Sequence, residues 1–388
     1  MDIKKRVEEI KEEIIGIRRE FHMYPELSDQ EYETQDRICR YLDSWGIEYE
    51  RGLARTGVVA LIRGARPGRT VGARADIDGL PICEETGLDF ASKNPGVMHA
   101  CGHDVHTAIH LGVAKIFKEM EGELAGNLKI FFQPAEETIG GAQRMIEEGA
   151  LENPRVDSVV ALHVEESFEV GQIQVKKGKV NAATNEVIIR IIGQSGHAAY
   201  PEKSVDSIVI AGNIIMALQT LASRSVSPLN PLVLSLGMIE GGRKNNVIAG
   251  EVTISGTLRT LDQETRKFGQ ERIREICQNV ARAYGGQVEV EFPREGAFEA
   301  LINDDGVVDL LVDEAAKVVG RENIFFKDQP SMGGDDFAFF TAQLPGAYYF
   351  LGSGHKIAAH SEKFLVDEDC IGIGMEIQLR TILGLLEK

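Results

Sequence analysis

The sequence predicts an α/β protein with a mainly parallel sheet, interrupted by a compact α+β domain. Three observations predict it. Strand and helix patterns alternate through the first 165 residues, the arrangement that builds a parallel sheet covered by helices. Between residues 181 and 292 the order becomes β-α-β-β-α-β, which fits a two-layer domain of ferredoxin-like type. After residue 300 the first pattern resumes, so the middle reads as an insertion. The expected domains are therefore 1–180 with 293–388, and 181–292. A chain of 388 residues exceeds the usual size of one hydrophobic core and agrees with two domains.

In order, Ile3, Val7, Ile10, Ile14 and Ile17 recur at spacings of three and four and predict an amphipathic helix over 2–22. A second helix runs from Glu31 to Trp45 and is closed by Gly46. Strands follow at Val58–Ile62 and Val71–Ala75, then a helix at 107–120, a buried strand at Leu128–Phe132, a helix from Gly141 to Glu148 and a strand from Val156 to His163. In the insertion, strands at 185–193, 232–239, 251–259 and 287–292 flank helices at 204–223 and 263–284. A helix at 305–319, a Gly-Gly-Asp-Asp turn at 333–336 read as a tight loop near the substrate, a strand at 347–351 and a last helix from Cys370 complete the chain.

A formal net charge of −18 argues against binding nucleic acid or an anionic membrane surface. No apolar run reaches the roughly 18 residues that span a bilayer, and the charged start of the chain predicts no secretory leader. The five cysteines (39, 83, 101, 277 and 370) are scattered and odd in number. A disulfide framework is not expected, and a reducing cytoplasm is the simplest home.

The densest chemistry lies in Val97-Met-His-Ala-Cys-Gly-His-Asp-Val-His106, with three imidazoles, one thiol and one carboxylate between a strand and a helix. Loops at the carboxyl ends of strands are where α/β proteins place their sites. A buried cysteine beside surface histidines is the plain alternative, because a lone Cys-x-His is a weak motif. Cys101, His103, Glu136, Glu137, His163 and His360 all fall in loops or just after predicted strands. Thiolate, imidazole and carboxylate together suit Zn²⁺ or Mn²⁺ better than Mg²⁺ or Ca²⁺. Adjacent residues point in different directions, so Glu137 is assigned to metal and Glu136 is left free to move a proton. The alternative is a pair of glutamates favoured by the dipole of the helix at 141.

Several stretches occur together and in a known order: Arg74-Ala-Asp-Ile-Asp-Gly-Leu-Pro81, Met98 to His106, Phe132-Gln-Pro-Ala-Glu-Glu137, Ala161-Leu-His-Val164, Gly196-His197 and His360-Ser361. The chain resembles the co-catalytic metallopeptidases of the aminoacylase and carboxypeptidase type. Within them it is similar to the branch of hippurate hydrolases, indole-acetyl-amino-acid hydrolases and N-acetyl-diaminopimelate deacetylases. The resemblance implies an aminopeptidase-like catalytic domain with an inserted lid or dimerisation domain. It implies two divalent metal ions per subunit, Zn²⁺ or Mn²⁺ first and Ni²⁺ or Co²⁺ next. Cys101 becomes the bridging ligand, and His103, Glu137, His163 and His360 the terminal ones. Glu136 becomes the general base, and Asp76 orients a ligand, whereas Arg74 cannot be one. His197 matches a histidine that contacts the substrate carbonyl, often from the partner subunit. Asn246 and Arg259 match positions that bind the oxyanion or the substrate carboxylate. Ala249 and Gly250 stand where the branch often has Pro and Asp, and Gly352–His360 is shorter than in the branch. His99 and His106 are read as pocket residues, and His22, His110 and His355 as structural.

The expected function is hydrolysis of N-acyl amino acids by a metal-bound hydroxide, in a cytoplasmic homodimer or homotetramer joined through the inserted domain. Two rivals make different demands. A hydrolase using Cys101 as nucleophile is sensitive to alkylation and indifferent to chelators. An idle homologue serving as a binding subunit needs a broken ligand set, and no ligand is missing from the sequence.

Overall fold

The computed structural model describes all 388 residues except Ile139 and Glu295. In chain order, helices α1 (Ile3–Met23) and α2 (Tyr32–Ser44) precede strands β1 (Glu48–Leu53), β2 (Gly57–Arg63) and β3 (Arg66–Asp76). Next come α3 (His103–Met120), β4 (Ala125–Gln133), α4 (Gly141–Glu147), β5 (Ser158–Glu165) and β6 (Ile173–Val175). A middle set follows: β7 (Ala183–Ile192), α5 (Ser207–Thr220), β8 (Leu232–Gly241), β9 (Glu251–Thr260), α6 (Gln263–Ala283) and β10 (Gln287–Glu291). The chain closes with α7 (Asp305–Val319), β11 (Ile324–Phe326), β12 (Gly346–Gly352) and α8 (Asp369–Glu387).

Two compact units result. One holds 1–180, 301–329 and 335–388, and the other holds 181–300 and 330–334. The second unit extends past residue 292 because Phe298 bridges Thr184. It also takes in 330–334, where Ser331 bridges Asn181 and the Gly333 carbonyl accepts the Ala182 amide hydrogen.

Among the described residues the first unit has an eight-stranded sheet in the order β1-β2-β4-β3-β5-β12-β6-β11. Its middle is parallel, with β4, β3, β5 and β12 running side by side in one direction. The edges are mixed: β1 and β2 run antiparallel, as do β12 and β6. Edge strands β1, β6 and β11 lack the buried apolar run that made the others legible. Successive residues of each central strand feed opposite cores, as the period of two demands. Ile130 and Phe132, with Val160 and Leu162, face the layer of α1, α3 and α8, while Phe131, Val159 and Ala161 face Met145, Phe337 and Phe340. Parallel central strands put their carboxyl ends at one edge, and every loop discussed below leaves from it.

Helix α3 begins at His103, four residues before the predicted start. Gly102, in the left-handed region at φ 87°, turns the chain into the helix. A Cβ there would lie 2.3 Å from Val164 Cγ2, so the α3 entry packs directly on the end of β5. Gly102→Ala should therefore cost about 1–3 kcal/mol from backbone strain alone, read as a lowered midpoint in urea denaturation.

The second unit is an antiparallel sheet in the order β8-β9-β7-β10, with α5 and α6 packed on it. The buried side chains of β7 (Val187, Ile189, Ile191) meet Ile210, Ile214 and Leu218 of α5 and Ile273 and Cys277 of α6. One departure from the sequence reading concerns Ser207–Ser225. This 19-residue helical stretch is long and apolar enough, by length and composition, to cross a membrane. Asn213, Gln219, Thr220 and Arg224 interrupt its apolar positions, so no unbroken apolar run of that length occurs in it. Here it lays Ile210, Ala211, Ile214, Leu218 and Leu221 into the core of its unit.

Candidate metal centre

Three strand ends and two loops of the first unit deliver the side chains. β3 ends at Asp76 and runs on to Asp78, β4 leads into Pro134–Glu137, and β5 carries His163. Cys101 precedes the N-terminus of α3, and His103 is its first residue. His360, at φ 64°, is tied to the cysteine loop by its amide, which donates to the Ala100 carbonyl at 2.8 Å.

The ligand atoms fall into overlapping groups. Those of Cys101, His103 and His163 lie within 4.8 Å of one another, and so do those of Cys101, Glu137 and His360. Cys101 is common to both. Its Sγ is 3.4 Å from His163 Nε2. Burial, with Glu137 adding to it, holds the Cys101 thiol well above its ordinary range. Glu137 Oε1 is 3.3 Å from His360 Nε2 and 3.9 Å from His103 Nε2.

Two of the three candidate imidazoles, His103 and His163, are fixed by a bond at the other nitrogen. His103 Nδ1–H donates to the Asp78 carbonyl at 2.9 Å, and Asp78 Oδ1 lies 3.1 Å away. His163 Nδ1–H donates to the Val164 carbonyl at 2.6 Å. Both rings therefore turn an Nε2 lone pair inward, the arrangement second-layer partners impose on metal-binding histidines. His103 Nε2 and Glu137 Oε1 are buried and have no hydrogen-bond partner. Buried polar atoms are rarely left so, and a divalent cation satisfies them. Soft sulfur, imidazole nitrogen and carboxylate oxygen together fit a borderline transition metal.

Beneath this set lies a second charged layer. Arg74, fully buried, pairs with Asp76, with Asp336 at 2.7 Å and with Asp335 at 3.3 Å. It also donates to Gln133 Oε1 at 2.7 Å. Asp76 accepts a 2.6 Å bond from His106 Nδ1–H, and His106 Nε2 accepts the Val164 amide hydrogen at 2.9 Å. Burial pushes the His106 ring down to about 4, so it is neutral at pH 7. Glu136, 8% exposed, has carboxylate oxygens within 4.8 Å of those of Asp335 and Asp336. Burial, then Asp335, Glu137 and Asp336, raise its carboxyl well above the usual range.

The second unit holds the other three candidates. His197 pairs with Val247 across a two-stranded ribbon, and the adjacent Asn246 carbonyl accepts the Ala198 amide hydrogen. His197 Nδ1 accepts the Ala199 amide hydrogen at 3.0 Å, leaving its proton on Nε2 as an exposed donor. Gly250 belongs to the same turn, and a Cβ there would lie 2.3 Å from Ser195 Oγ. Close approach thus explains glycine at this position. Arg259 sits apart: the run of β9 from Glu251 to Arg259 spans about 26 Å at about 3.3 Å per residue. Its Nη1 donates to the Met332 carbonyl at 2.6 Å.

The model of peptidase family M20/M25/M40 matches residues 72–384. The chain belongs to peptidase family M20/M25/M40. This M20 chain is 39% identical over 362 residues to the N-acetyl-L-cysteine deacetylase of Bacillus subtilis, covering 93% of this chain and 85% of the relative. It is 37% identical over 380 residues to thermostable carboxypeptidase 1 of Saccharolobus solfataricus, covering 96% and 95%. A Bacillus subtilis structure described as a dinuclear metal binding peptidase from the M20 family superposes with TM-score 0.83 at 32% identity, covering 98% of this chain and 99% of that one. The protein is an enzyme, a metal-dependent amide hydrolase of this family.

Within this M20 enzyme the sequence reading overlooked Asp78, which meets His103 Nδ1, while Asp76 meets His106, Arg74 and, at 3.7 Å, His103 Nε2. Two carboxylates two residues apart are interchangeable until a fold aims them. It did not foresee that Asp335 and Asp336 of the Gly-Gly-Asp-Asp turn are buried on Arg74. Removing Arg74 leaves those buried carboxylates unpaired. Arg74→Met should destabilise the metal-free protein by about 3–5 kcal/mol, measured by urea denaturation.

Proposed function

We propose that this enzyme hydrolyses the amide bond of small N-acyl amino acids with two divalent cations, Zn²⁺ or Mn²⁺ first. Cys101 would be the donor common to both, with His103 and His163 holding one and Glu137 and His360 the other. The observation that carries this reading is the pair of overlapping donor groups with Cys101 in common. The names of the deacetylase and carboxypeptidase relatives support amides of amino acids as substrates.

Cations held by this donor set supply Lewis acidity to the scissile carbonyl and to water. Glu136 takes a proton from the attacking water as the carbon–oxygen bond forms. The same carboxyl returns that proton to the amide nitrogen as the carbon–nitrogen bond breaks, releasing a carboxylate and an amine. Burial and three neighbouring carboxylates favour the protonated form of Glu136 in the metal-free protein. Positive charge in the centre restores the base, so proton transfer and cation binding are coupled. His197, with its proton on Nε2, donates to the oxyanion. Asn246 assists it, and Arg259 takes the substrate carboxylate.

Arg259 lies at the far end of β9 from Glu251, whereas His197 and Asn246 belong to the separate ribbon beside Gly250, so the two groups are presented from different places on the unit. A homodimer through the inserted unit lets both serve one substrate, with His197 acting on the partner's substrate. Edge strand β8 exposes Met238 and Ile239, and the neighbouring helix α5 exposes Ile208, Val209 and Met216. An open edge beside an apolar helix face suits pairing with a second copy. Five cysteines, all unpaired, agree with a reducing cytoplasm.

Glu136→Gln should keep metal content and lower kcat by about 10²- to 10⁴-fold, assayed on N-acetyl, N-benzoyl and indole-acetyl amino acids. Chelators should abolish the parent's activity and added cation restore it, whereas a cysteine nucleophile would ignore chelators. Co-expressed Glu136→Gln and His197→Ala chains should form hybrid dimers that regain activity, because one site then has both residues intact. Light scattering should give twice the 42.6 kDa of one chain. Hybrids without activity, or a monomer, would remove His197 from action across the interface.

A further inference from the structure

The tandem glutamates pose a problem of direction. Turning the backbone at 135–137 would exchange Glu136 and Glu137: both lie near His103, but Glu137 also meets His360 whereas Glu136 meets Asp335 and Asp336. Ala135 sits in the left-handed region at φ 54°, which a residue with a Cβ adopts only when its surroundings hold it there. Two buried carboxylates from distant segments grip the turn on either side of Glu136. Glu31, beside the start of α2 and 0% exposed, accepts the Ala135 amide hydrogen at 2.8 Å through Oε1 and the Thr56 hydroxyl at 2.6 Å through Oε2. Asp78, 1% exposed, accepts the Glu137 amide hydrogen at 3.0 Å and the Ser28 hydroxyl at 2.7 Å through Oδ2. Its Oδ1 lies 3.1 Å from His103 Nδ1. Burying carboxylates merely to satisfy two amides is an expensive solution.

We infer that Glu31 and Asp78 are paired positioning residues: by clamping the amides of Ala135 and Glu137 they decide which glutamate meets metal and which stays free to carry the proton. Asp78 also couples this choice to the direction of His103, so one carboxylate sets two ligands. The inference rests on the proposed roles of Glu136 and Glu137.

The test is Zn²⁺ affinity of metal-stripped protein, by competition with a chromophoric chelator, alongside thermal unfolding of the stripped protein. Glu31→Ala and Asp78→Asn should each bind Zn²⁺ about 10- to 100-fold more weakly while remaining folded. In Asp78→Asn the side chain oxygen can still accept from His103, but an NH₂ faces the Glu137 amide. Glu31→Gln still accepts from Ala135 and donates to Thr56, so it should behave as the parent. Adding Ala135→Gly to Glu31→Ala should restore part of the lost affinity, since glycine takes the left-handed turn without a clamp. A merely structural Glu31 would show no such rescue. Parental Zn²⁺ affinity in Asp78→Asn, or no rescue by Ala135→Gly in folded Glu31→Ala protein, overturns the inference. If Glu31→Ala fails to fold, Asp78→Asn alone decides. Glu137→Gln tests the underlying roles separately: undiminished affinity there removes Glu137 as a ligand whatever the clamp does.

Discussion

A single buried guanidinium makes the rest of the centre possible. Asp76, Asp335 and Asp336 surround Arg74 in the interior of the first unit, and Glu136 lies close to the two later aspartates. Removing that many carboxylates from water costs several kcal/mol for each ion, and one arginine with five fixed donors offsets much of it. The pairing also holds the ends of β3 and β4 together, because Arg74 bonds both Asp76 of its own strand and Gln133 of the next.

Above that layer, rigidity comes from imidazole nitrogens that face away from the centre. His103 is held by Asp78, His163 by the Val164 carbonyl, and His106 by both Asp76 and the Val164 amide. Val164 thus meets two rings through its own peptide groups. The first turn of α3 packs on the same residue at Gly102. A backbone shift of a few tenths of an ångström at the end of β5 would reach three histidines at once, which is why the centre is built on strand ends and not on a free loop.

The second unit follows other rules. Its antiparallel sheet buries one face under α5 and α6 and leaves β8 as an open edge. Natural sheets protect such edges with charge, proline or a partner, and Val233, Met238 and Ile239 are poor protection. A chain carrying −18 net charge would otherwise repel its copies, so an uncharged apolar face on this unit is the place where association costs least.

The sequence alone determined the architecture to a large degree. Long apolar runs such as Leu128–Phe132 and the β-branched strand Asn185–Gly193 reveal themselves by period, and the switch in element order exposed the insertion. The candidates Cys101, His103, Glu136, Glu137, His163 and His360 were legible as a set because few other residue types carry such chemistry and each fell in a loop or just after a strand signal, while the family resemblance divided their roles. Tertiary structure decided everything that depends on direction. Whether Asp76 or Asp78 meets His103 Nδ1, that Asp335 and Asp336 turn inward to Arg74, and that Glu31 reaches a turn more than 100 residues away are contacts between distant segments. Periodicity and spacing record only what a residue's near neighbours do, whereas the aim of a buried carboxylate is set by which remote donor the fold brings within 3 Å of it.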